Sequence, residues 1–220
     1  MLTKSERLFA ILFCLVLIFE MYTAMEAPIL HYFAKPAILI SLISFYVFQS
    51  QHIEAHIRKL TLGALVFSLL GDILLMFVDQ SPHFFTAGLV SFLTAHVLYI
   101  LVFLKARNRA KNPWLFLTIL IVYGSSLFYV LKDHLGVMLL PVFFYMLVIL
   151  TMATSAFLRK GSVRVLSYNL VLTGAILFLI SDSLLAVNKF YEPLAYSNIS
   201  IMFTYAFAQL FIVFGLLKQQ

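Results

Sequence analysis

Two carboxylates stand in stretches that are otherwise apolar. Asp72 lies in Phe67-Ser68-Leu69-Leu70-Gly71-Asp72-Ile73-Leu74-Leu75-Met76, and Asp182 in Phe178-Leu179-Ile180-Ser181-Asp182-Ser183-Leu184-Leu185-Ala186. If those stretches are membrane helices, each acid costs roughly 2.5–3.5 kcal/mol to insert, so it needs a partner or a function. Our expectation is that each aspartate is the other's partner. Two carboxyls in one desolvated pocket hold one proton between them, so that one serves as acid and the other as base. Such a pair suits hydrolysis of a bond that needs a proton at one atom and an activated water at the next. Amides, ethers and glycosidic bonds all meet that description.

Both aspartates fall near the outer third of their helices, and other polar residues lie around them, with His96 deeper, near mid-span. Lys35, followed by Pro36, is expected at the outer start of the second helix, where a proline suits a helix entrance. His96 shares a helical face with Gly88, Phe92 and Tyr99, and Tyr205 and Gln209 form an i,i+4 pair in the last apolar run. Together they outline a pocket open toward the outer leaflet or the outer aqueous side. Each also has a plainer reading. Lys35 can snorkel to the interface. His96, Tyr99, Tyr205 and Gln209 can be interhelical hydrogen-bond partners, and Gly63, Gly71, Gly88 and Gly174 can admit close helix approach. The histidines of His52-Ile53-Glu54-Ala55-His56 have zinc-helix spacing but no third ligand nearby, so no metal or other cofactor is expected. No nucleophile elbow or phosphate-binding glycine loop is present.

The elements that must carry these residues follow from composition. With 63% hydrophobic and 11% charged residues and a mean hydropathy of +1.03, the chain is an integral membrane protein. Apolar runs near 8–25, 33–49, 60–78, 84–104, 114–131, 136–158, 165–187 and 195–217 predict eight transmembrane helices in an all-α fold. With a cytoplasmic N-terminus, twelve of the 15 Lys and Arg residues fall inside: Lys4, Arg7, Arg58, Lys59, Lys105, Arg107, Arg109, Lys111, Arg159, Lys160, Arg164 and Lys218. Only Lys35, Lys132 and Lys189 fall outside. By the positive-inside rule both termini are then cytoplasmic, and the net charge of +6 reflects topology anchors rather than nucleic-acid binding. Lys4 and Arg7 before an apolar run resemble a secretory signal, but Thr23-Ala24-Met25-Glu26-Ala27 is a poor cleavage site, so a retained helix is expected. Cys14 has no second cysteine to pair with.

Asp72 and Asp182 are 110 residues apart in a 220-residue chain. Each follows a Gly-Ala pair and a phenylalanine (Gly63-Ala64 and Phe67; Gly174-Ala175 and Phe178) and precedes Leu-Leu. Pro36 and Pro141 lie one helix earlier. We therefore expect one membrane domain over 1–220, built from half-repeats 1–110 and 111–220 in a parallel 4+4 arrangement with a site at their interface.

Taken in order, Lys35-Pro36, Phe67-Ser68-Leu69-Leu70-Gly71-Asp72, Gly88 with Phe92, His96 and Tyr99, Gly174-Ala175 with Phe178, Ser181-Asp182-Ser183, Lys189-Phe190, and Tyr205 with Ala208-Gln209 resemble the YhhN family, which includes the lysoplasmalogenases. The resemblance covers nearly the whole chain. It implies hydrolysis of the vinyl ether bond of lysoplasmalogens to a fatty aldehyde and glycerophosphocholine or glycerophosphoethanolamine, with Asp72 and Asp182 catalytic. The substrate would be a lysophospholipid within the bilayer. Lys35 would meet its phosphate, and His96, Tyr99, Tyr205, Gln209 and Ser181 would support the site. The host membrane would be the inner or plasma membrane of a bacterium or an endoplasmic-reticulum-type membrane of a eukaryote. Three rivals compete with this reading: a proton-coupled transporter using the same two acids, an intramembrane aspartyl protease suggested by Gly71-Asp72, and a structural role. The protease reading lacks a Pro-Ala-Leu signature in the later helices.

Overall fold

The computed structural model describes residues 3–219. Eight α-helices account for nearly all of them: α1 (Lys4–Glu26), α2 (Pro28–Gln49), α3 (Ala55–Leu75), α4 (Pro82–Lys105), α5 (Trp114–Leu131), α6 (Leu139–Phe157), α7 (Val165–Phe190) and α8 (Ser197–Leu217). Seven of the eight are long and apolar enough to cross a membrane. The exception is α3, which carries Arg58, Lys59 and Asp72 within its 21 residues. Multi-pass membrane architecture thus follows from uninterrupted apolar sequence, whose backbone is satisfied in lipid only by helices or closed barrels.

Local signals set several helix ends. Thr3 caps α1 in a reciprocal box with Glu6: the Glu6 amide donates to Thr3 Oγ1 at 3.2 Å, and the Thr3 amide donates to Glu6 Oε2 at 2.6 Å. Pro28 opens α2, and this corrects the expected position of Lys35 and Pro36. The helix begins seven residues before Lys35, because Pro28 takes the first-turn position where its missing N–H costs nothing. Pro36 lies inside the helix, where it withdraws one N–H from the ladder opposite the Tyr32 carbonyl.

The chain folds as two compact units, one ending at Val102 and one starting at Phe103. In the first, α1 packs on α2 and α2 on α3. Phe13, Leu17, Ile38, Leu39, Leu42, Tyr46 and Leu65 are buried there. Helix α4 approaches α3 closely at Gly71, where an added Cβ would meet the Phe92 ring at 2.6 Å, and Ser91 Oγ donates to the Phe67 carbonyl at 3.0 Å. In the second, α7 and α8 form the tightest pair. A Cβ on Gly174 would sit 2.8 Å from the Ala208 carbonyl oxygen. Ser167 Oγ donates to the Gly215 carbonyl at 2.7 Å and Ser181 Oγ to the Ile201 carbonyl at 3.0 Å. Small residues and serine-to-carbonyl bonds are what helix pairs use when lipid removes the hydrophobic force between them.

Arg159, assigned above to the set of topology anchors, is completely buried beyond the end of α6. Its Nη2 donates to Ser167 Oγ at 3.2 Å and to Gln219 Oε1 at 3.4 Å, and the guanidinium lies 5.7 Å from the Phe103 ring centre. Burial pushes its pKa down to about 10, which still leaves it charged at neutral pH.

Gly174→Val tests the packing of α7 on α8. The branched side chain has no room beside Ala208 and Ile212, so stability should fall by about 1–3 kcal/mol or more. A lower unfolding midpoint in detergent is the expected result, and an unchanged midpoint would refute the close contact.

Candidate functional site

Each unit holds one of the two expected aspartates. Asp72 is buried in the last turns of α3, with 3% of its surface exposed, and the Gly71–Phe92 contact sits beside it. In the same unit α1 contributes a second acid, Glu20, which is 2% exposed. His31 from the first turn of α2 brings Nδ1 to 3.6 Å from Glu20 Oε1, while among the described residues no donor reaches Glu20 Oε2. Lys35 and Asp72 both lie within electrostatic range of the Glu20 carboxylate, and Lys35 of His31 as well. The end of α1, the start of α2 and the end of α3 thus gather two buried acids and two basic side chains. Opposite charge is the partner an intramembrane acid most needs.

On α4 of the same unit, Phe92, Ala95, His96 and Tyr99 form one buried face, with His96 and Tyr99 wholly inaccessible. Gly88, Phe92, His96 and Tyr99, expected on one face, are all buried.

In the second unit Asp182 is half-buried on α7, and the Tyr145 hydroxyl of α6 donates to its Oδ2 at 2.6 Å. Next to it the Tyr123 hydroxyl of α5 donates to Ser183 Oγ at 2.8 Å, and Ser183 in turn donates to the Leu179 carbonyl at 2.7 Å. These four side chains line a half-open groove between α5, α6 and α7 with a cavity volume of about 60 Å³. The other lining residues are apolar, among them Leu127, Val142, Ile149, Leu179 and Ala186.

Ser181 and Tyr205 serve the other face of α7. Ser181 is bonded to the Ile201 carbonyl of α8. Tyr205 packs edge-on against Phe178, with ring centres 5.4 Å apart at 85°, and Gln209 is fully buried on the same helix as Tyr205.

Glu20, His31, Tyr123 and Tyr145 are absent from the residues singled out by sequence. For Glu20 the signal was available, since an acid inside the apolar run 8–25 meets the same criterion that drew attention to Asp72. Tyr145 offered none, because a tyrosine in an apolar helix reads equally as an interface anchor. Among the described residues no three His, Cys, Asp or Glu side chains converge in a way that could hold a metal ion.

Fold and site together define a multi-pass, all-helical membrane protein with carboxylates inside its helices, Asp182 met by a tyrosine hydroxyl and Glu20 by a histidine. The chain belongs to the YhhN family, whose sequence profile matches residues 30–216. Glu20 lies outside the matched stretch. The chain is 35% identical to lysoplasmalogenase TMEM86B of Homo sapiens over 160 residues, which is 73% of this chain and 64% of that protein. It is 32% identical to lysoplasmalogenase TMEM86B of Sus scrofa over 68% of this chain and 60% of that one, and 30% identical to lysoplasmalogenase TMEM86A of Bos taurus over 71% and 64%. The match thus spans somewhat less than two thirds of these relatives' own length. No solved structure matches the chain.

Tyr145→Phe removes one hydroxyl and no carbon. Losing a side-chain hydrogen bond costs about 0.5–1.5 kcal/mol, and more where the partner is left unsatisfied. The unfolding midpoint in detergent should fall for Tyr145→Phe and much less for Tyr129→Phe, whose ring is 70% exposed.

Proposed function

We propose that this protein is a lysoplasmalogenase-type ether hydrolase, cleaving the vinyl ether bond of lysoplasmalogens within the membrane, with Asp72 and Asp182 as the acid and base. The observation that carries the reading is the match, over about 70% of the chain, to relatives that bear the name lysoplasmalogenase. The buried acids support it, because a vinyl ether requires the chemistry that carboxylates supply. A protonated carboxyl donates its proton to the β-carbon, leaving an oxocarbenium-like centre on the carbon bonded to oxygen. An ionised carboxylate stabilises that charge and takes a proton from water as the water adds. The resulting hemiacetal loses its ether oxygen as the glycerol hydroxyl of the head group, which regains a proton, and the fatty aldehyde departs. Water is consumed and no redox partner is involved.

The partners suggest how the roles divide. A hydroxyl donor such as Tyr145 suits a carboxylate that begins ionised, so Asp182 is the base. Asp72, the other member of the pair, is then the acid. Lys35 meets the lipid phosphate as a point charge. In the membrane the helices take a parallel 4+4 arrangement with both termini on the cytoplasmic side, in keeping with the charge distribution.

The decisive assay is aldehyde release from a lysoplasmalogen by the detergent-purified protein. Asp72→Asn and Asp182→Asn should each lower kcat/KM by roughly 10²–10⁴-fold, the usual worth of general acid–base catalysis. A variant that retains full activity would remove its aspartate from the mechanism. Absence of release by the folded parent, together with uptake into vesicles driven by a pH gradient, would move the transporter reading to the front. Lys35→Ala should raise KM for the phospholipid far more than it lowers kcat. A fall confined to kcat would place Lys35 in the charge balance of Glu20 and Asp72 instead.

A further inference from the structure

The groove of α5, α6 and α7 extends along α7 from Leu179 to Ala186 and along α6 from Val142 to Leu150. At ~1.5 Å per residue it is roughly 10–12 Å long. Its walls are aliphatic and aromatic except near mid-length, where Asp182, Tyr145, Tyr123 and Ser183 form a single polar seam. Leu179, Ile149 and Leu150 lie toward one end and Val142, Leu131 and Ala186 toward the other. Among the described residues no Lys, Arg or His lines it. A phosphate would therefore find no counter-charge in the groove and would face the Asp182 carboxylate. An apolar channel with one polar seam fits a ligand that is apolar except at one polar bond.

We propose that this groove binds the hydrocarbon chain of a single-chain ether lipid, with the seam against the ether and the head group outside. The inference deepens the hydrolase reading and rests on it. The groove is shorter than the ~15 Å of hydrocarbon in one leaflet, half of the ~30 Å core. It therefore holds only the part of the chain next to the ether, and the remainder runs on into lipid. Selectivity consequently falls on bulk near the ether rather than on total chain length.

The test uses a saturated ether lysophospholipid, which has no vinyl ether to cleave, bearing a photoreactive diazirine either near the ether or at the far end of the chain. The full-length protein in nanodiscs is irradiated and the labelled residues are mapped by mass spectrometry. The near-ether probe should label α5, α6 and α7 groove residues, and excess lysoplasmalogen, but not diacyl phospholipid, should compete it away. The far-end probe should label outside the groove. Ala186→Phe, and separately Val142→Phe, should cut near-ether labelling about tenfold, the worth of roughly two buried methylenes. Labelling that maps elsewhere would overturn the proposal. So would labelling that diacyl phospholipid competes equally well, since that marks an ordinary lipid contact. Because the probe is not hydrolysed, groove labelling in a protein that releases no aldehyde would uphold the binding site and remove the reaction. Aldehyde release with the label elsewhere would do the reverse.

Discussion

A polar group inside an apolar helix must find a partner, and much of this structure is arranged by that requirement. Solvent is not available to satisfy it, so the partner has to come from a neighbouring helix. Tyr145 of α6 serves Asp182 of α7, Tyr123 of α5 serves Ser183, and His31 of α2 stands beside Glu20 of α1. Even Arg159, beyond the end of α6, is held under cover by Ser167, Gln219 and the Phe103 ring. These contacts join different helices, so the groups that would do chemistry also help to hold their surroundings in place.

Helix α7 shows how one element meets both demands. Gly174, Phe178 and Ser181 recur at i, i+4 and i+7 and face α8, where contact is close enough to exclude a Cβ at Gly174. Leu179, Asp182, Ser183 and Ala186 lie about a third of a turn further round and line the groove. Adjacent residues therefore have different tasks: Ser181 fastens α7 to α8, while Asp182 faces the open side. A rigid face behind the acid is what a catalytic group requires if its position is to be fixed within a few tenths of an ångström.

The sequence misled where depth was judged from composition alone. Pro36 looks like a helix entrance until Pro28 is seen to occupy that place, which puts Lys35 inside α2 and close to Glu20. Arg159 looks like one more solvated cation, yet it is buried, because the turn after α6 folds back against α7 and the end of α8. Glu20 sits in the first apolar run, behind Lys4 and Arg7, where the pattern resembles a signal peptide, and only the fold sets it beside His31. In each case the residue type was plain and its neighbours were not.

What the sequence determined by itself is the helical membrane architecture, within a few residues at most helix ends, and the presence of two acids, Asp72 and Asp182, inside its helices. Both follow from one-dimensional information: apolar runs long enough to span, and acids too costly to leave there without a reason. The family, too, was legible from the order of short polar motifs. The tertiary structure alone supplied the partners. Tyr145 is 37 residues from Asp182 and Tyr123 is 60 from Ser183, and nothing in a tyrosine's own surroundings marks which acid it will meet. Nor does the sequence display the groove, which exists only because three helices leave space between side chains that each look like ordinary core. Spacing along one helix is set by 3.6 residues per turn, but contact between helices is set by how their surfaces interlock.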